Sequence, residues 1–270
     1  MPTVAVQCET MFTGGFILLS LVVGACGSAK KGVGIPSQGF RCEDLLAFPN
    51  VHWWYDWFEQ PTYQHNCKQN KAGRVPMIWG WRQNVDFPLH IPSNAHYILG
   101  FNEPNFSIQA NLSPQLAADH WRLIERAGQG KLLVSPAAAP CSGNPICNYD
   151  GIQWFEEFFR HCAGCKVDYI ATHAYWCSAD TTMNYLQTLY NKFHKKIWLT
   201  EFACPSHNSV QDQLNYMKAI LPRLEAASYV SRYAWFASRW AGDSFVTQAS
   251  SLLDQSTSTL TSLGKYYNNF

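Results

Sequence analysis

The chain has 270 residues and a formal net charge of +1, with 20 Lys and Arg against 19 Asp and Glu. This balance indicates neither a nucleic-acid partner nor a stable association with an anionic membrane, and we expect a ligand that is neutral or nearly so. Hydrophobic residues make up 47% of the chain and aromatic residues 15%, which predicts a large core. The 11 Trp suit a sugar-binding protein, because indole faces cover the apolar faces of pyranose rings; core packing is the alternative for each of them.

The N-terminus carries an apolar run, Phe16–Ala25, that ends in small residues. The run is too short to span a bilayer, and this pattern is typical of a secretory signal. We therefore predict a signal-like segment over residues 1–29, cleaved after Ala25 or Ala29, and one mature domain over residues 30–270. The mature protein is expected outside the cell.

Other interpretations of this segment stay open. No Lys or Arg precedes the apolar run and Glu9 is acidic, so Met11 is an alternative initiator. Val23–Cys26 also loosely matches a bacterial lipobox. In a eukaryotic secretory pathway, the two sequons that begin at Asn105 and Asn111 would be glycosylated.

Short apolar runs recur along the rest of the chain at intervals suited to strands that alternate with helices. The eight predicted strands are Lys31–Pro36, Val51–Phe58, Val75–Gly80, Tyr97–Phe101, Leu132–Ala139, Asp168–Tyr175, Ile197–Phe202 and Tyr229–Ala237. Spacings of three and four between apolar residues predict helices over Leu116–Ala127, Ile152–Phe159, Met183–Phe193 and Val210–Ala226. Ser113 and Pro114 provide an N-cap and a first helical position for the first helix.

This alternation predicts a single α/β domain, a (β/α)8 TIM barrel. An open doubly wound sheet is the alternative, but no GxGxxG phosphate loop favours it. The chain shows no internal repeat and no low-complexity linker, and we expect a monomer.

Two of the predicted strands end in a glutamate: Glu103 follows the fourth strand, after Asn102, and Glu201 ends the seventh. Catalytic groups of a TIM barrel come from the C-terminal ends of different strands, and strands four and seven face each other across the mouth. Two such carboxyl groups, with tryptophans around them and no metal-ligand cluster, indicate glycoside hydrolysis. One Glu protonates the leaving oxygen while the other attacks the anomeric carbon or activates water. The alternative is that each Glu only pairs with an Arg at a strand end.

Eight of the ten cysteines follow the signal-like segment, and an even number in a secreted chain indicates disulfide bonds. Sequence alone does not determine the pairing. Short loops favour the pairs Cys141–Cys147 and Cys162–Cys165. Cys177 and Cys204 follow two strands that would be neighbours in the barrel, which favours a third pair. Cys42 and Cys67 then remain for the fourth. The CxxC spacing of the second pair is also that of half a redox or zinc site, but no second CxxC or suitably spaced His pair completes one.

A wider set of motifs resembles glycoside hydrolase family 128, within the clan A retaining enzymes. The motifs are Gly100–Asn105, Ser135–Ala137, Asp168–Trp176 and Trp198–Phe202, and the likeness extends from about Lys31 to Phe270. The resemblance implies a small (β/α)8 barrel that acts on β-1,3-glucan. We predict an endo-acting enzyme, and exo cleavage stays open as the alternative. The resemblance also implies that Glu103 is the acid/base, that Glu201 is the nucleophile and that Asn102 binds the sugar 2-hydroxyl. No cofactor or metal is required.

His173 and Tyr175 alternate with Ala174 on the sixth strand, so both side chains can point into the mouth. Tyr175 is expected to donate to Glu201, and His173 to lie near Glu103 or a sugar hydroxyl. A buried histidine with a purely structural role is the alternative for His173.

Five tryptophans are assigned to substrate binding: Trp235, Trp54, Trp79, Trp81 and Trp176. Trp235 matches the position where clan A enzymes often place a sugar platform, and the others would line further subsites. Core packing is the alternative for each. Because Trp53 and Trp54 are adjacent on a strand, at most one of them should face the ligand.

The predicted mechanism is double displacement with retention, for which the carboxyl groups should lie about 5–5.5 Å apart; about 6.5–9.5 Å would indicate inversion. Two alternatives remain. One is another clan A β-glycanase of the mannanase or cellulase type, and the other is a catalytically silent glucan-binding barrel.

Overall fold

The computed structural model describes residues 28–61, 67, 73–81, 89–141, 143–206, 209–243 and 245–270. Residues 1–27 of the predicted signal segment, which include the Ala25 cleavage site, the alternative start at Met11 and the lipobox match, lie outside the described residues.

The described strands are β1 (Lys31–Gly34), β2 (Trp53–Tyr55), β3 (Gly73–Arg74), β4 (Tyr97–Leu99), β5 (Leu132–Ala137), β6 (Tyr169–Ala174), β7 (Ile197–Phe202) and β8 (Val230–Trp235). They form one parallel sheet in the order β3-β2-β1-β8-β7-β6-β5-β4. The two edges of this sheet meet, because Met77 pairs in parallel with Leu99 and the Ile78 N–H donates to the Leu99 carbonyl at 3.0 Å. The (β/α)8 barrel prediction is confirmed.

The third strand differs from its prediction, since β3 lies just before the predicted run Val75–Gly80. Pro76 has no N–H to donate, which interrupts a regular ladder in that run. Its carbonyl still accepts from the Leu99 N–H at 2.9 Å. The run therefore joins the two edges of the sheet without forming a regular strand of its own.

The described residues form six α-helices. They are α1 (Cys42–Leu46), α2 (Pro114–Ala127), α3 (Gly151–His161), α4 (Ala179–Phe193), α5 (Val210–Ala226) and α6 (Ser262–Asn269). No helix is described between β2 and β4, where residues 62–66, 68–72 and 82–88 are not described, so the alternation seen is less complete than predicted. Ser113 caps α2 as expected, accepting from the Leu116 N–H at 3.2 Å. None of the described helices has both the length and the apolar character needed to cross a bilayer.

The barrel has two apolar layers. One fills its interior and includes Trp53, Tyr55, Leu99, Val134 and Trp198, while the other packs between the sheet and the helices. Both faces of each strand are therefore buried, as is usual for a parallel sheet covered by helices.

Four disulfide bonds join the described cysteines in the predicted pairs. Their Cα–Cα distances are 4.9 Å for Cys42–Cys67, 6.0 Å for Cys141–Cys147, 5.3 Å for Cys162–Cys165 and 4.4 Å for Cys177–Cys204. The CxxC spacing thus belongs to a disulfide. The Cys177–Cys204 bond connects the segments that leave β6 and β7 at the mouth.

In one of the two sequons, the asparagine has a structural role. Asn105 is buried, and its Nδ2 donates to the carbonyls of Ala139 at 2.9 Å and Tyr149 at 3.0 Å. Its glycosylation was wrongly predicted, because the amide nitrogen that would carry the glycan is enclosed. Asn111 is exposed, and its glycosylation stays a prediction.

Candidate active site

Three ionisable side chains converge at the C-terminal end of the barrel. Glu103 follows β4, His173 lies on β6 and Glu201 lies on β7. His173 Nδ1 is 2.8 Å from Glu103 Oε1 and 3.4 Å from Glu201 Oε2. One ligand-type atom from each residue can be chosen so that all three lie within 4.8 Å of one another. The structure therefore brings both predicted glutamates together with the predicted histidine.

The direction of Glu201 depends on an irregularity in β7. Trp198 points into the barrel, so strict alternation would turn Thr200 inward and Glu201 toward the helices. The register shifts against both β6 and β8, and Thr200 is the unpaired extra residue of a β-bulge. This extra residue changes the phase of the strand and turns the Glu201 carboxylate into the mouth.

Three hydrogen-bond donors surround the Glu201 carboxylate. Trp57 Nε1 donates to Oε1 at 2.8 Å, and the Tyr55 hydroxyl donates to the same oxygen at 3.3 Å. The Tyr175 hydroxyl donates to Oε2 in a short contact. Both carboxylate oxygens are thus held by aromatic side chains that lie on β2, just after β2 and just after β6.

Burial raises the pKa of Glu201, and the negative charge of Glu103 raises it further. His173 and the hydrogen bonds from Tyr175 and Trp57 oppose this shift without cancelling it. Burial and the charge of Glu201 also raise the pKa of the Tyr55 and Tyr175 hydroxyls well above the ordinary value. The two phenols therefore remain protonated donors over the whole neutral range.

His173 is fully buried between the two carboxyl groups. Burial lowers the pKa of its imidazole, but the charge of Glu201 and the hydrogen bond to Glu103 more than offset this, so the pKa is raised overall. Its Nε2 has no hydrogen-bond partner among the described residues. The imidazole is thus poised to carry a positive charge beside the carboxylates.

Asn102 lies beside this cluster, 4% exposed, and its Nδ2 donates to Gln109 Oε1 at 3.2 Å. Its Oδ1 is buried and has no partner among the described residues. Gly100, just before this segment, allows the chain to pack closely against β5. A Cβ at this position would lie 2.6 Å from the Pro136 nitrogen and 2.7 Å from the Trp121 ring. Only glycine lets β4 and β5 come this close as the chain enters the site.

Three cavities form a groove across the mouth. The Trp81 cavity, about 850 Å³, is lined by Trp57, Phe58, Trp79, Trp81, Leu89 and Gln109 among others. The central cavity, about 450 Å³, is lined by both glutamates with Asn102, Tyr175, Phe236 and Trp240 among others. The Trp176 cavity, about 470 Å³, is lined by Glu103, Ile108, Ile146, His173, Trp176 and Phe245 among others. The central cavity shares lining residues with each of the other two, so the groove passes both sides of the carboxyl pair.

Three of the predicted binding tryptophans line this groove. Trp79 is 40% exposed and borders the Trp81 cavity and the central cavity. Trp81 stacks on His120 with ring centroids 4.1 Å apart, so one face of its indole is already covered. Trp176 packs edge-on against Tyr185 at 5.5 Å and borders the third cavity.

The other two predicted tryptophans belong to the core, and their assignment to sugar binding was wrong. Trp54 is 7% exposed and points away from the barrel interior into the layer beneath the helices. Trp235 is 0% exposed, packs against Phe202 at 5.0 Å and donates to the Ser250 carbonyl at 2.8 Å. In both cases the alternation of the strand turns the side chain outward.

The aromatic residues that line the site instead lie close to these two tryptophans in the sequence. Tyr55 shares the inward phase of Trp53 on β2, and Trp57, two residues after this strand, packs against the same inner cluster. Phe236 follows Trp235 and lines the central cavity. Phe245 and Trp240, beyond β8, were also not predicted. The spacing of two from Trp53 to Tyr55 and Trp57 was the signal that could have identified the first two.

Glu103, His173 and Glu201 are also close enough to hold a divalent cation. However, both oxygens of Glu201 already accept hydrogen bonds from aromatic donors, and Glu103 Oε1 is bonded to His173. One lone pair or more on each of these three oxygens is therefore already engaged within the protein.

A barrel whose mouth holds two close carboxyl groups in an aromatic groove defines the glycoside hydrolase class. The family model described as glycosyl hydrolase catalytic core matches residues 40–267. A family 128 (subgroup II) endo-β-1,3-glucanase from Sorangium cellulosum is 35% identical, with a TM-score of 0.78, over 88% of this chain and 97% of that one. The chain therefore belongs to the glycosyl hydrolase catalytic core family and, within it, to glycoside hydrolase family 128.

Two further relatives extend the comparison. A family 128 (subgroup III) curdlan-specific exo-β-1,3-glucanase from Blastomyces gilchristii, in complex with glucose, is 28% identical over 91% of this chain and 100% of that one, with a TM-score of 0.72. Alkali-sensitive linkage protein 1 of Schizosaccharomyces pombe is 26% identical over 226 residues, which cover 78% of this chain and 39% of that protein. The chain thus spans well under half the length of this last relative.

Proposed function

We propose that this protein is a retaining endo-β-1,3-glucanase that hydrolyses β-1,3-glucan by double displacement. One observation carries the proposal: carboxylate oxygens of Glu103 and Glu201 lie within 4.8 Å of each other. Retaining enzymes need about 5–5.5 Å between the carboxyl groups, whereas inverting enzymes need about 6.5–9.5 Å to admit a water. The β-1,3-glucanase activity named for the Sorangium and Blastomyces relatives supports the substrate class.

In the first step, Glu103 gives its proton to the glycosidic oxygen as the bond from C1 to that oxygen breaks, and Glu201 attacks C1 to form a glycosyl ester. The donors from Trp57, Tyr55 and Tyr175 hold the attacking carboxylate in place and favour its ionised form. We assign Asn102 to the sugar 2-hydroxyl, because its Oδ1 has no other partner within the described residues.

In the second step, Glu103 is ionised and takes a proton from a water molecule, which attacks C1 and releases Glu201. Two inversions give net retention of the β configuration. His173 touches both carboxyl groups, so its imidazole can balance the negative charge as it passes from one glutamate to the other.

The endo mode rests on the shape of the groove. A cavity continues on each side of the carboxyl pair, so a glucan chain can extend past the cleavage point in both directions. An exo-acting site needs one side to be closed. We also retain secretion and a monomeric state as proposals; the four disulfide bonds support an oxidising compartment.

The test is product analysis on laminarin and curdlan beside mannan, cellulose and mixed-linkage glucan. We expect early release of several oligosaccharide lengths from the β-1,3-glucans, and NMR of the first products should show the β anomer. Glucose as the only early product would contradict the endo mode. Activity confined to mannan or cellulose would instead support another clan A glycanase.

Glu201→Gln separates an enzyme from a silent binding barrel. We expect turnover to fall by roughly 10³-fold or more while glucan binding is kept, because the amide cannot act as the nucleophile. Glu157→Gln is the matched control, since Glu157 lies on the surface of α3 beside Arg160 and should leave turnover unchanged. Binding without turnover in the unaltered protein would identify a silent barrel.

A further inference from the structure

We propose that Gln213 is a positioning residue for the nucleophile: from α5 it holds the segment that follows β7, and so keeps Glu201 in place against its hydrogen-bond donors. We call Gln213, Cys204 and Cys177 the β7 clamp. The inference rests on the proposed retaining glucanase function, in which Glu201 attacks the anomeric carbon. Gln213 is not among the residues lining the three cavities, so it acts on the site from behind the sheet.

The bulge at Thr200 makes the direction of Glu201 depend on what holds the chain after it. Beyond Thr200, β7 pairs with β6 through Glu201 and Phe202, and with β8 through Phe202 alone. A bulge disrupts the ladder locally, and a slip of one residue in this short end would turn Glu201 toward the helices. A fixed point after Phe202 prevents that slip.

Gln213 provides this fixed point through both polar atoms of its amide. The Cys204 N–H donates to Gln213 Oε1 at 3.1 Å, and Gln213 Nε2 donates to the Cys204 carbonyl at 2.6 Å. A carboxamide presents a donor and an acceptor side by side, as a peptide group does, so it takes the place of a neighbouring strand. Cys204 lies two residues beyond the end of β7 and three residues beyond Glu201.

The position of Gln213 on α5 indicates a role other than packing. Gln213 is 0% exposed and lies on the buried face of the helix. Burying an amide costs free energy unless new hydrogen bonds replace those to water, and an apolar side chain could fill the same space without that cost. A polar residue at an apolar position is a local conflict of the kind expected at functional sites. The other buried residues of this face are Tyr216, Met217, Ile220, Leu221 and Leu224.

A disulfide bond extends the same fixed point to a donor of Glu201. Cys204 is bonded to Cys177, which lies two residues after Tyr175. The Tyr175 hydroxyl donates to Glu201 Oε2, and this contact closes a loop that passes through all four residues. The nucleophile and one of its donors are therefore both tied to Cys204, and a shift of Cys204 would separate them.

The experiment replaces Gln213 with Met, which keeps the length of the side chain and removes both hydrogen bonds. Initial rates of laminaripentaose cleavage give kcat, KM and the pH dependence of kcat/KM. We expect kcat to fall by about tenfold to 100-fold, because a displacement of about 1 Å at a reacting group has effects of that size. KM should change by less than about twofold, because the groove itself is not altered.

The pH profile gives a second measure of the same displacement. The hydrogen bond from Tyr175 lowers the pKa of Glu201, so a looser contact raises that pKa. The acid limb of kcat/KM for Gln213→Met should therefore move to higher pH by roughly half a unit to one unit. The position of this limb does not depend on how much of the protein folds.

Tyr216→Phe is the matched control. Tyr216 lies on the same buried face of α5, and its hydroxyl bonds to the Thr182 hydroxyl at 2.9 Å. This variant also removes a buried hydrogen bond from α5, so it should lose stability but keep the kcat and the acid limb of the parent. Equal changes of kcat in the two variants, or an unchanged kcat and acid limb in Gln213→Met, would overturn the inference.

A second variant, Cys177→Ala combined with Cys204→Ala, removes the disulfide and leaves the Gln213 amide in place. The acid limb should move in the same direction, and adding Gln213→Met should give less than the sum of the two shifts, because both changes act through Cys204. Fully additive shifts would overturn the β7 clamp. No cleavage of laminaripentaose by the unaltered protein would overturn the glucanase proposal and the inference with it, whereas cleavage that Gln213→Met leaves unchanged overturns the inference alone.

Discussion

Trp57→Phe would remove one hydrogen-bond donor from Glu201 and keep an aromatic ring in the same place. Trp57 Nε1 lies 2.8 Å from Glu201 Oε1, whereas the other donor to that oxygen, the Tyr55 hydroxyl, is 3.3 Å away. A hydrogen bond to a charged group contributes about 1.5–3 kcal/mol. Because Tyr55 can move closer once the indole is gone, we take the lower end, which corresponds to about one pH unit in a titration at about 1.4 kcal/mol per unit.

The direction of the change follows from the role of Glu201. Burial already raises the pKa of this carboxyl group, and the loss of a donor to its ionised form raises it further. Glu201 must be ionised to attack, so the acid limb of kcat/KM against pH should move to higher pH by about one unit. The basic limb should stay in place.

The assay is kcat/KM on a soluble laminarioligosaccharide across pH, which reports the free enzyme. Trp79→Phe is the control, because Trp79 lines the groove and is not among the donors to Glu201. It should change KM and leave the acid limb unmoved. An acid limb that stays in place in Trp57→Phe, or that moves equally in both variants, would refute the role given to the indole.

Three further predictions concern stability and binding. Glu201→Gln should raise the melting temperature at neutral pH. Folding raises the pKa of Glu201, so between the unfolded and folded pKa values the native state binds more protons than the unfolded state. The parent protein therefore loses stability as the pH rises through that interval, and the Gln variant does not. A variant that melts below the parent at neutral pH would contradict this. Arg239→Ala should cost about 3–5 kcal/mol of unfolding free energy in denaturant titrations, because it strands the buried carboxylate of Asp44; a loss below about 1 kcal/mol would mean that the pair behaves like a surface ion pair. Trp235→Phe should lower stability with KM unchanged, whereas Trp79→Ala should raise KM with stability nearly unchanged; the reverse pattern would restore Trp235 as a sugar platform.

Much of the architecture could be predicted from local sequence. The helix α5 has the predicted bounds, Val210–Ala226, and the Ser113–Pro114 start of α2 was evident because capping depends on adjacent residues alone. Loop lengths favoured two of the disulfides and the neighbouring positions of two strands favoured a third, which left Cys42 and Cys67 for the fourth; the sequence alone did not determine this pairing. The two glutamates were found because each ends an apolar strand, and strand ends are where a barrel collects its polar groups.

Only the tertiary structure decided whether an individual side chain points into the barrel or toward the helices. The alternation of a strand separates its residues into two sets, but in this barrel both sets are buried, one by the interior and one by the helices. Hydrophobic character therefore could not tell Trp54 from Trp57, or Trp235 from Phe236. The bulge at Thr200 was equally hidden, because an extra residue is defined by the register of the strands on either side. The sequence by itself determined which strands meet at the mouth, and the packing of neighbouring strands determined which side chains reach it.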